Sequence, residues 1–140
     1  MTDLLGTWTL VSCISQRGDT EVSTFGEPPA GQLQYTADGR MSAFLMDPAW
    51  AAAGNPVADG FTEFFSYGGL WRRDGDMVTH DILFASQPSR VGTSFTRQIV
   101  AVDDDTVELV TKPEVSKSGR TYVTRLLWKR VGTAQDMAAR

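Results

Sequence analysis

One histidine and one arginine, His80 and Arg97, are the side chains of this chain best suited to chemistry. Both lie in segments where apolar and polar residues alternate, the pattern of a β-strand with one buried face. His80 shares its face with the apolar residues Val78, Ile82 and Phe84, and Arg97 shares its face with Phe95, Ile99 and Ala101. The alternation predicts that both polar side chains point toward the apolar side of a sheet.

A hairpin about Pro88 and Ser89 connects these two segments. The simplest register places His80 opposite Arg97, and the loop is long enough for the register to slip by two residues. An unpaired charge on a buried face is costly, so a partner or a ligand is expected for Arg97.

Two interpretations of this pair stay open. In the functional one, Arg97 binds a carboxylate or stabilises an enolate-like oxyanion, and His80, kept neutral by the nearby positive charge, is a general base or acid. In the structural one, Arg97 pairs with an internal acid such as Glu63 or Glu108, and His80 donates to a backbone carbonyl.

Aromatic side chains are the candidates for the wall of a ligand cavity. Tyr67 and Trp71 share one strand face, and Gly69 between them is expected to leave room there. They either contact a ligand, with the Tyr67 hydroxyl as a donor, or belong to an ordinary core. The predicted ligand-binding residues are Tyr35, Phe44, Phe65, Tyr67, Trp71, Phe84, Phe95 and Tyr122.

Other kinds of site find little support. A single histidine excludes a multi-histidine metal centre, and Asp103 to Asp105 is typical of a solvated turn, so no metal is predicted. The chain has no nucleophile elbow, phosphate loop or dinucleotide fingerprint, and no cofactor is expected. Cys13 is predicted on the strand face opposite Trp8, without a histidine to serve as its base.

The elements that must position these residues are short strands. Nine alternating runs are separated by turn residues, which favours an all-β, antiparallel up-and-down barrel. A short helix from Val57 to Phe65, with Phe61, Phe64 and Phe65 on one side, is predicted as a lid, and an ordinary surface loop is the alternative. The chain is expected to form a single domain, residues 1–140, with the barrel over about 4–131 and a tail from Gly132 to Arg140.

Composition limits the partners. The 140 residues are 41% apolar and 21% charged, with 13 basic against 17 acidic side chains and a net charge of −4. Such an acidic chain is not expected to bind nucleic acid, and no segment approaches the ~20 apolar residues of a membrane helix. One cysteine and the absence of a leader sequence favour the cytoplasm. Exposed edge aromatics on an acidic barrel are compatible with a homodimer.

Several motifs suggest a family. Leu4 to Ser12, which contains Gly6-Thr7-Trp8, resembles the opening strand of lipocalins and other calycins, and Arg125 to Arg130 is similar to the basic last strand that packs over that tryptophan as a structural latch. The hairpin from Gly31 to Ala43, the strand from Phe65 to Trp71, and the segments Val78-Thr79-His80 and Val91-Gly92-Thr93 with Arg97 resemble the bacterial and fungal lipocalin-like domain family. Trp71 departs from the tyrosine that family members commonly carry.

The resemblance implies a barrel of eight to ten strands with an internal cavity for a small molecule. It does not imply one reaction. One hypothesis is a cofactor-free isomerase, cyclase or dehydratase acting on a small hydrophobic or carboxylated metabolite, with His80 and Arg97 as the catalytic pair. The alternative is a non-catalytic carrier or sequestering protein for such a ligand, and a purely structural or interaction protein is a third option.

Overall fold

Ten β-strands make up most of the part of the chain whose structure is described. The structure, a computed structural model, describes residues 3–54, 63–115 and 118–132. The strands are β1 (Gly6–Arg17), β2 (Thr20–Ser23), β3 (Ala30–Tyr35), β4 (Arg40–Met46), β5 (Phe64–Asp74), β6 (Met77–Ala85), β7 (Ser94–Asp103), β8 (Thr106–Thr111), β9 (Glu114–Val115) and β10 (Thr121–Arg130). All nine predicted strands are confirmed, and the short β9 is an addition.

Eight of these strands close into an antiparallel barrel. They are hydrogen-bonded in the order β1-β3-β4-β5-β6-β7-β8-β10, and pairing of β10 with β1 completes the circle. β2 extends β1 and β9 extends β10 outside the circle. The predicted all-β, up-and-down barrel is therefore confirmed, and closure leaves no free edge in the circle itself.

The two ends of the barrel differ. Tight turns at residues 36–39, 74–76 and 104–105 join the strands at one end, where Leu4, Trp8, Val107 and Trp128 pack together, each at most 2% exposed. Longer connections, including residues 24–29 and 86–93, lie at the other end. The barrel is thus plugged at the end with tight turns.

The short helix, α1 (Pro48–Ala52), lies earlier in the chain than predicted. The Asp47 side chain caps it by accepting from the Ala49 N–H at 2.9 Å, and Pro48 occupies its first turn. Phe64 and Phe65 begin β5, so the prediction of a helix reaching Phe65 is wrong, while residues 57–62 of that prediction lie outside the described residues. No helix in the described ranges is both long and apolar enough to cross a bilayer.

A bulge in β1 changes which residues face the interior. The pairing with β10 skips Val11, so that Leu10 opposes Trp128 and Ser12 opposes Leu127. Trp8 and Cys13 are both buried as a result, on the same side of the strand. The prediction that Cys13 lies on the face opposite Trp8 is wrong because an extra residue reverses the alternation.

A second bulge affects β6. Gly68 opposes Phe84 and Gly69 opposes Ile82, which leaves Leu83 as the extra residue. Gly69 leaves room for β6 rather than for a cavity, because a Cβ there would lie 2.0 Å from the Asp81 carbonyl oxygen. The bulge turns the Phe84 side chain outward, where it is 65% exposed, so the predicted alternation fails beyond Ile82.

The predicted latch between the first and last strands is confirmed. The Arg130 guanidinium carbon lies 4.2 Å from the centre of the Trp8 ring, and the Trp8 indole N–H donates to the Leu4 carbonyl at 2.9 Å. Arg130 also donates to the carbonyls of Leu5, at 2.6 Å, and Asp3. One side chain of β10 therefore holds the N-terminal segment over the plugged end.

We expect Arg130→Met to lower the free energy of unfolding by about 1–3 kcal/mol, because it removes the cation–π contact and leaves two carbonyls without their charged donor. Urea unfolding measures the change. Lys129→Met, at the exposed neighbouring position, is the control and should stay within about 0.5 kcal/mol of wild type. Equal effects of the two substitutions would contradict the assignment of the latch to Arg130.

Candidate functional site

The interior of the barrel holds a cavity of about 640 Å³. Its volume falls within the range of small-molecule binding sites. Apolar side chains supply much of its wall, namely Val22, Phe25, Leu33, Leu45, Phe65, Phe95, Leu109, Val115, Leu126 and Trp128. Cys13 lines it as well, and burial raises the pKa of that thiol to about 11, so the group stays protonated.

His80 lies in the wall of this cavity between two tyrosines. Its Nε2 atom is 2.6 Å from the Tyr35 hydroxyl oxygen, and its Nδ1 atom is 2.8 Å from the Tyr67 hydroxyl oxygen. Only 2% of His80 is exposed. Both ring nitrogens are thus engaged by phenols, and the alternative in which His80 donates to a backbone carbonyl is wrong.

The direction of these hydrogen bonds follows from the burial of Tyr35. Among the described residues, the Tyr35 hydroxyl has no hydrogen-bond partner except His80, and the residue is 2% exposed. Leaving its proton without an acceptor costs about 1–3 kcal/mol, so Tyr35 donates to Nε2. A neutral His80 then carries its proton on Nδ1 and donates to Tyr67. The Tyr67 hydroxyl accepts that bond and retains its own proton as a donor.

Burial keeps the three hydrogen-bonded side chains, Tyr35, His80 and Tyr67, uncharged. Desolvation, together with the positive charge of Arg97, lowers the pKa of His80 to about 3. Desolvation raises the pKa of Tyr67 to about 12, against the opposing effect of Arg97, and raises the pKa of Tyr35 well above its usual value. At neutral pH the site presents a phenol, an imidazole and a phenol, each in its neutral form.

Arg97 brings a positive charge to the same cavity. Its guanidinium carbon lies 4.7 Å from the centre of the Phe95 ring, and Nη1 donates to the Thr96 carbonyl at 3.2 Å. Among residues 3–54, 63–115 and 118–132, no carboxylate oxygen lies within 4.0 Å of this guanidinium. The alternative in which Glu63 or Glu108 neutralises Arg97 is therefore wrong.

The register between β6 and β7 differs by two residues from the simplest prediction. His80 opposes Phe95, and Arg97 opposes Val78. The sequence allowed for a register shift of two residues because the connecting loop is long. A shift of two residues leaves every side chain on the same face of the sheet. His80 and Arg97 both line the cavity as predicted, and their positions on adjacent strands are diagonal rather than directly opposite.

The eight aromatic residues predicted to bind a ligand fall into three groups. Phe65, Tyr67, Phe95 and Tyr122 line the cavity. Tyr35 and Trp71 lie behind its wall, with ring centres 4.7 Å apart, and the Trp71 indole N–H donates to the Thr36 carbonyl at 3.0 Å. Phe44 and Phe84 are on the outside of the barrel, 45% and 65% exposed, and do not contribute to the cavity.

Three charged residues of the cavity wall were not predicted from the sequence: Arg17, Arg90 and Glu114. The Arg90 guanidinium carbon lies 5.4 Å from the Phe95 ring centre, and that of Arg17 lies 5.4 Å from the Tyr122 ring centre. Glu114 accepts from the Tyr122 hydroxyl at 3.0 Å. Arg90 lies in the connection after β6, and Glu114 lies in the two-residue β9. The alternation of apolar and polar residues along a strand therefore could not predict that either side chain faces the cavity.

Comparison with known proteins identifies the family. The model of the lipocalin-like domain matches residues 5–131. The chain belongs to this family. An internal cavity in a lipocalin-like barrel suggests the binding of a small molecule. In the part of the chain that the structure describes, no group of three or more histidine, cysteine or carboxylate side chains is placed to hold a metal ion.

Two solved structures are similar to this chain at low sequence identity. An uncharacterized protein from Bacteroides eggerthii DSM 20697 is 12% identical, with a TM-score of 0.48, and the match covers 92% of this chain and 100% of that one. A redesigned β-barrel is 17% identical, with a TM-score of 0.41, and the match covers 92% of each chain. No curated protein matches the lipocalin-like domain described here.

The neutral, buried His80 predicts a specific dependence of stability on pH. Its pKa is about 3 in the folded protein against 6.5 for a free histidine, so below about pH 6.5 the unfolded chain takes up a proton that the folded protein does not. The stability contribution is complete above that pH and is lost as the pH falls toward 3. From about pH 6 to about pH 5, the free energy of unfolding should fall by about 1 kcal/mol more in wild type than in His80→Gln.

Urea unfolding at the two pH values measures this difference. The glutamine retains hydrogen-bonding groups for the tyrosines but does not titrate, so carboxylate contributions cancel in the comparison. Equal losses of stability in the two proteins would show that His80 is accessible to protons in the folded state.

Proposed function

We propose that this lipocalin-like domain binds a small, mostly apolar molecule through a carboxylate or another oxygen acceptor. The observation that carries the proposal is the Arg97 guanidinium, which lines an apolar cavity without a carboxylate partner among the described residues. A desolvated guanidinium is stabilised by a counter-charge, and a ligand carboxylate supplies one.

Tyr67 supports the same kind of ligand. Because His80 donates to its oxygen, the Tyr67 hydroxyl proton is left for a ligand acceptor. Tyr67 and Arg97 both contact Phe95, with the Tyr67 and Phe95 ring centres 5.1 Å apart. Two donors therefore stand on one side of the cavity, and the positive charge favours an anion there over a cation.

The apolar lining indicates the rest of the ligand. Leucine, phenylalanine and tryptophan side chains surround the cavity, and burying apolar ligand surface against them contributes roughly 25 cal/mol per Å² before the costs of association. An apolar body with at least one acidic group fits this lining, to which Arg17, Arg90 and Arg97 contribute positive charge.

2-Naphthoic acid is a probe with these properties, and its fluorescence reports binding. We expect Arg97→Met to weaken its binding by roughly tenfold or more, and Tyr67→Phe by roughly three- to tenfold, since a charged and a neutral donor are removed. The neutral 2-naphthamide should lose much less affinity on Arg97→Met, because it does not carry the charge that the guanidinium neutralises.

Arg72→Met is the matched control. Arg72 is exposed and pairs with Asp81 on the outside of the barrel, at 3.2 Å, so its loss should leave naphthoate binding unchanged. The proposal fails if the wild-type protein binds neither probe, or if Arg97→Met and Arg72→Met have the same effect.

A second candidate function is cofactor-free isomerisation, cyclisation or dehydration, and one observation favours it. Glu114 lines the same cavity as the Tyr67 and Arg97 donors, which supplies a base in the same cavity as an oxyanion site. Glu114 would take a proton from the carbon beside a ligand carbonyl while Tyr67 and Arg97 stabilise the enolate oxygen. Return of the proton from Glu114 to another carbon completes an isomerisation, and its transfer to a neighbouring hydroxyl, which then leaves as water while the C=C bond forms, completes a dehydration.

In this second candidate, His80 is a positioning residue, because both of its nitrogens are engaged by tyrosines. Incubation of the pure protein with a pool of small metabolites, followed by mass spectrometry, tests it. A compound consumed by wild type should be consumed at least tenfold more slowly by Glu114→Gln and by Tyr67→Phe. Compounds that co-purify unchanged with all three proteins would instead leave binding as the function.

A further inference from the structure

Hydroxyl side chains line the cavity on the side away from Tyr67. We define the hydroxyl cluster as Ser15, Thr24, Thr111 and Thr124, all of which contribute to the cavity wall. Ser15 lies on β1 and Thr124 on β10, whereas Tyr67 lies on β5 and His80 on β6. In the circle of eight strands, β1 is opposite β6 and β10 is opposite β5. Ser15 and Thr124 therefore face Tyr67 across the cavity, whereas Thr111 lies beside Arg97, its partner in the pairing of β7 with β8.

The hydroxyl cluster is connected internally. The Ser15 hydroxyl oxygen lies 2.8 Å from that of Thr24 and 3.0 Å from that of Thr124. The Thr124 backbone N–H donates to the Thr111 hydroxyl oxygen at 2.9 Å. Ser15 and Thr111 are each only 5% exposed, so contact with bulk water does not explain the polar residues at these two positions.

These groups keep unused hydrogen-bonding capacity. Ser15, Thr24, Thr124 and the neighbouring Cys13 thiol have four protons, and the two bonds among the hydroxyls together with the bond between Cys13 and Thr24 use three. Each oxygen can accept two hydrogen bonds, so acceptor positions also remain. Such a cluster can donate to and accept from the same ligand group, which is the requirement of a hydroxyl.

Of these positions, the fold requires a hydroxyl at Thr111, which accepts from the Thr124 backbone N–H. Nearby inward positions on the same strands are apolar, as at Leu109 on β8 and Leu126 on β10, and a buried hydroxyl has a desolvation cost that an apolar residue avoids. A ligand with only one polar end would leave the hydroxyl cluster facing apolar atoms.

We infer that Ser15 and Thr124 of the hydroxyl cluster bind a hydroxyl group at the edge of the ligand opposite the acceptor that Tyr67 binds. The ligand class is then a compact apolar molecule, such as a fused ring system, with an acidic group at one edge and a hydroxyl at the opposite edge. This inference rests on the proposed function and specifies its ligand.

The test compares 6-hydroxy-2-naphthoic acid with 2-naphthoic acid, which lacks the distal hydroxyl. Wild type should bind the hydroxy acid roughly three- to tenfold more tightly, as expected for one or two neutral hydrogen bonds formed in place of water. Ser15→Ala and Thr124→Val should each reduce this preference, measured as the ratio of the two affinities in the same variant, to less than twofold.

Thr79→Val is the matched control, because it removes a threonine hydroxyl that bonds Thr96 at 3.2 Å and does not line the cavity. It should preserve the preference for the hydroxy acid. Two results would overturn the inference and leave the proposed function standing. One is equal wild-type affinity for the two acids, and the other is a preference for the hydroxy acid that survives in both Ser15→Ala and Thr124→Val. Failure of wild type to bind either acid removes the proposed function, and the inference with it.

Discussion

The hydrogen bond from the buried Tyr35 hydroxyl to His80 Nε2 is the constraint on which the rest of the site depends. It places the remaining imidazole proton on Nδ1, directs that proton to Tyr67, and so leaves the Tyr67 hydroxyl as a donor. It also joins β3 to β6, which are separated by two strands in the circle. A buried chain of this kind requires a complete set of partners, because each unpaired polar group costs more than a hydrogen bond contributes.

The same arrangement distinguishes binding from catalysis. Transfer of the Tyr67 proton to a ligand, with relay through His80, would end in a phenolate at Tyr35, where burial raises the pKa well above its usual value. That relay is energetically unfavourable. Donation of a hydrogen bond without proton loss has no such cost, and the positive charge of Arg97 favours an acceptor at the same place. Binding is therefore the function that this geometry supports best, and any catalysis depends on a separate base.

Local pattern was sufficient for much of the fold. The alternation of apolar and polar residues identified nine of the ten described strands. It also placed His80 and Arg97 on the interior face, even though the pairing of β6 with β7 is shifted by two residues from the predicted one. The same rule failed at Cys13 and Phe84, because each follows a bulge, where one extra residue reverses inside and outside. A bulge depends on how a partner strand pairs, and no pattern within a single strand contains that information.

The sequence by itself determined nine of the ten described strands, the inward orientation of the histidine and the arginine, and, through the family resemblance, the basic last strand that packs over Trp8. Only the tertiary structure decided that His80 lies between Tyr35 and Tyr67, that Arg97 has no carboxylate partner in the described part of the chain, and that the hydroxyls of Ser15 and Thr124 face Tyr67 across a cavity. The physical reason is range. Alternation has a period of two residues and acts within one strand, whereas closure of the barrel brings together side chains as far apart as Ser15 and Thr124.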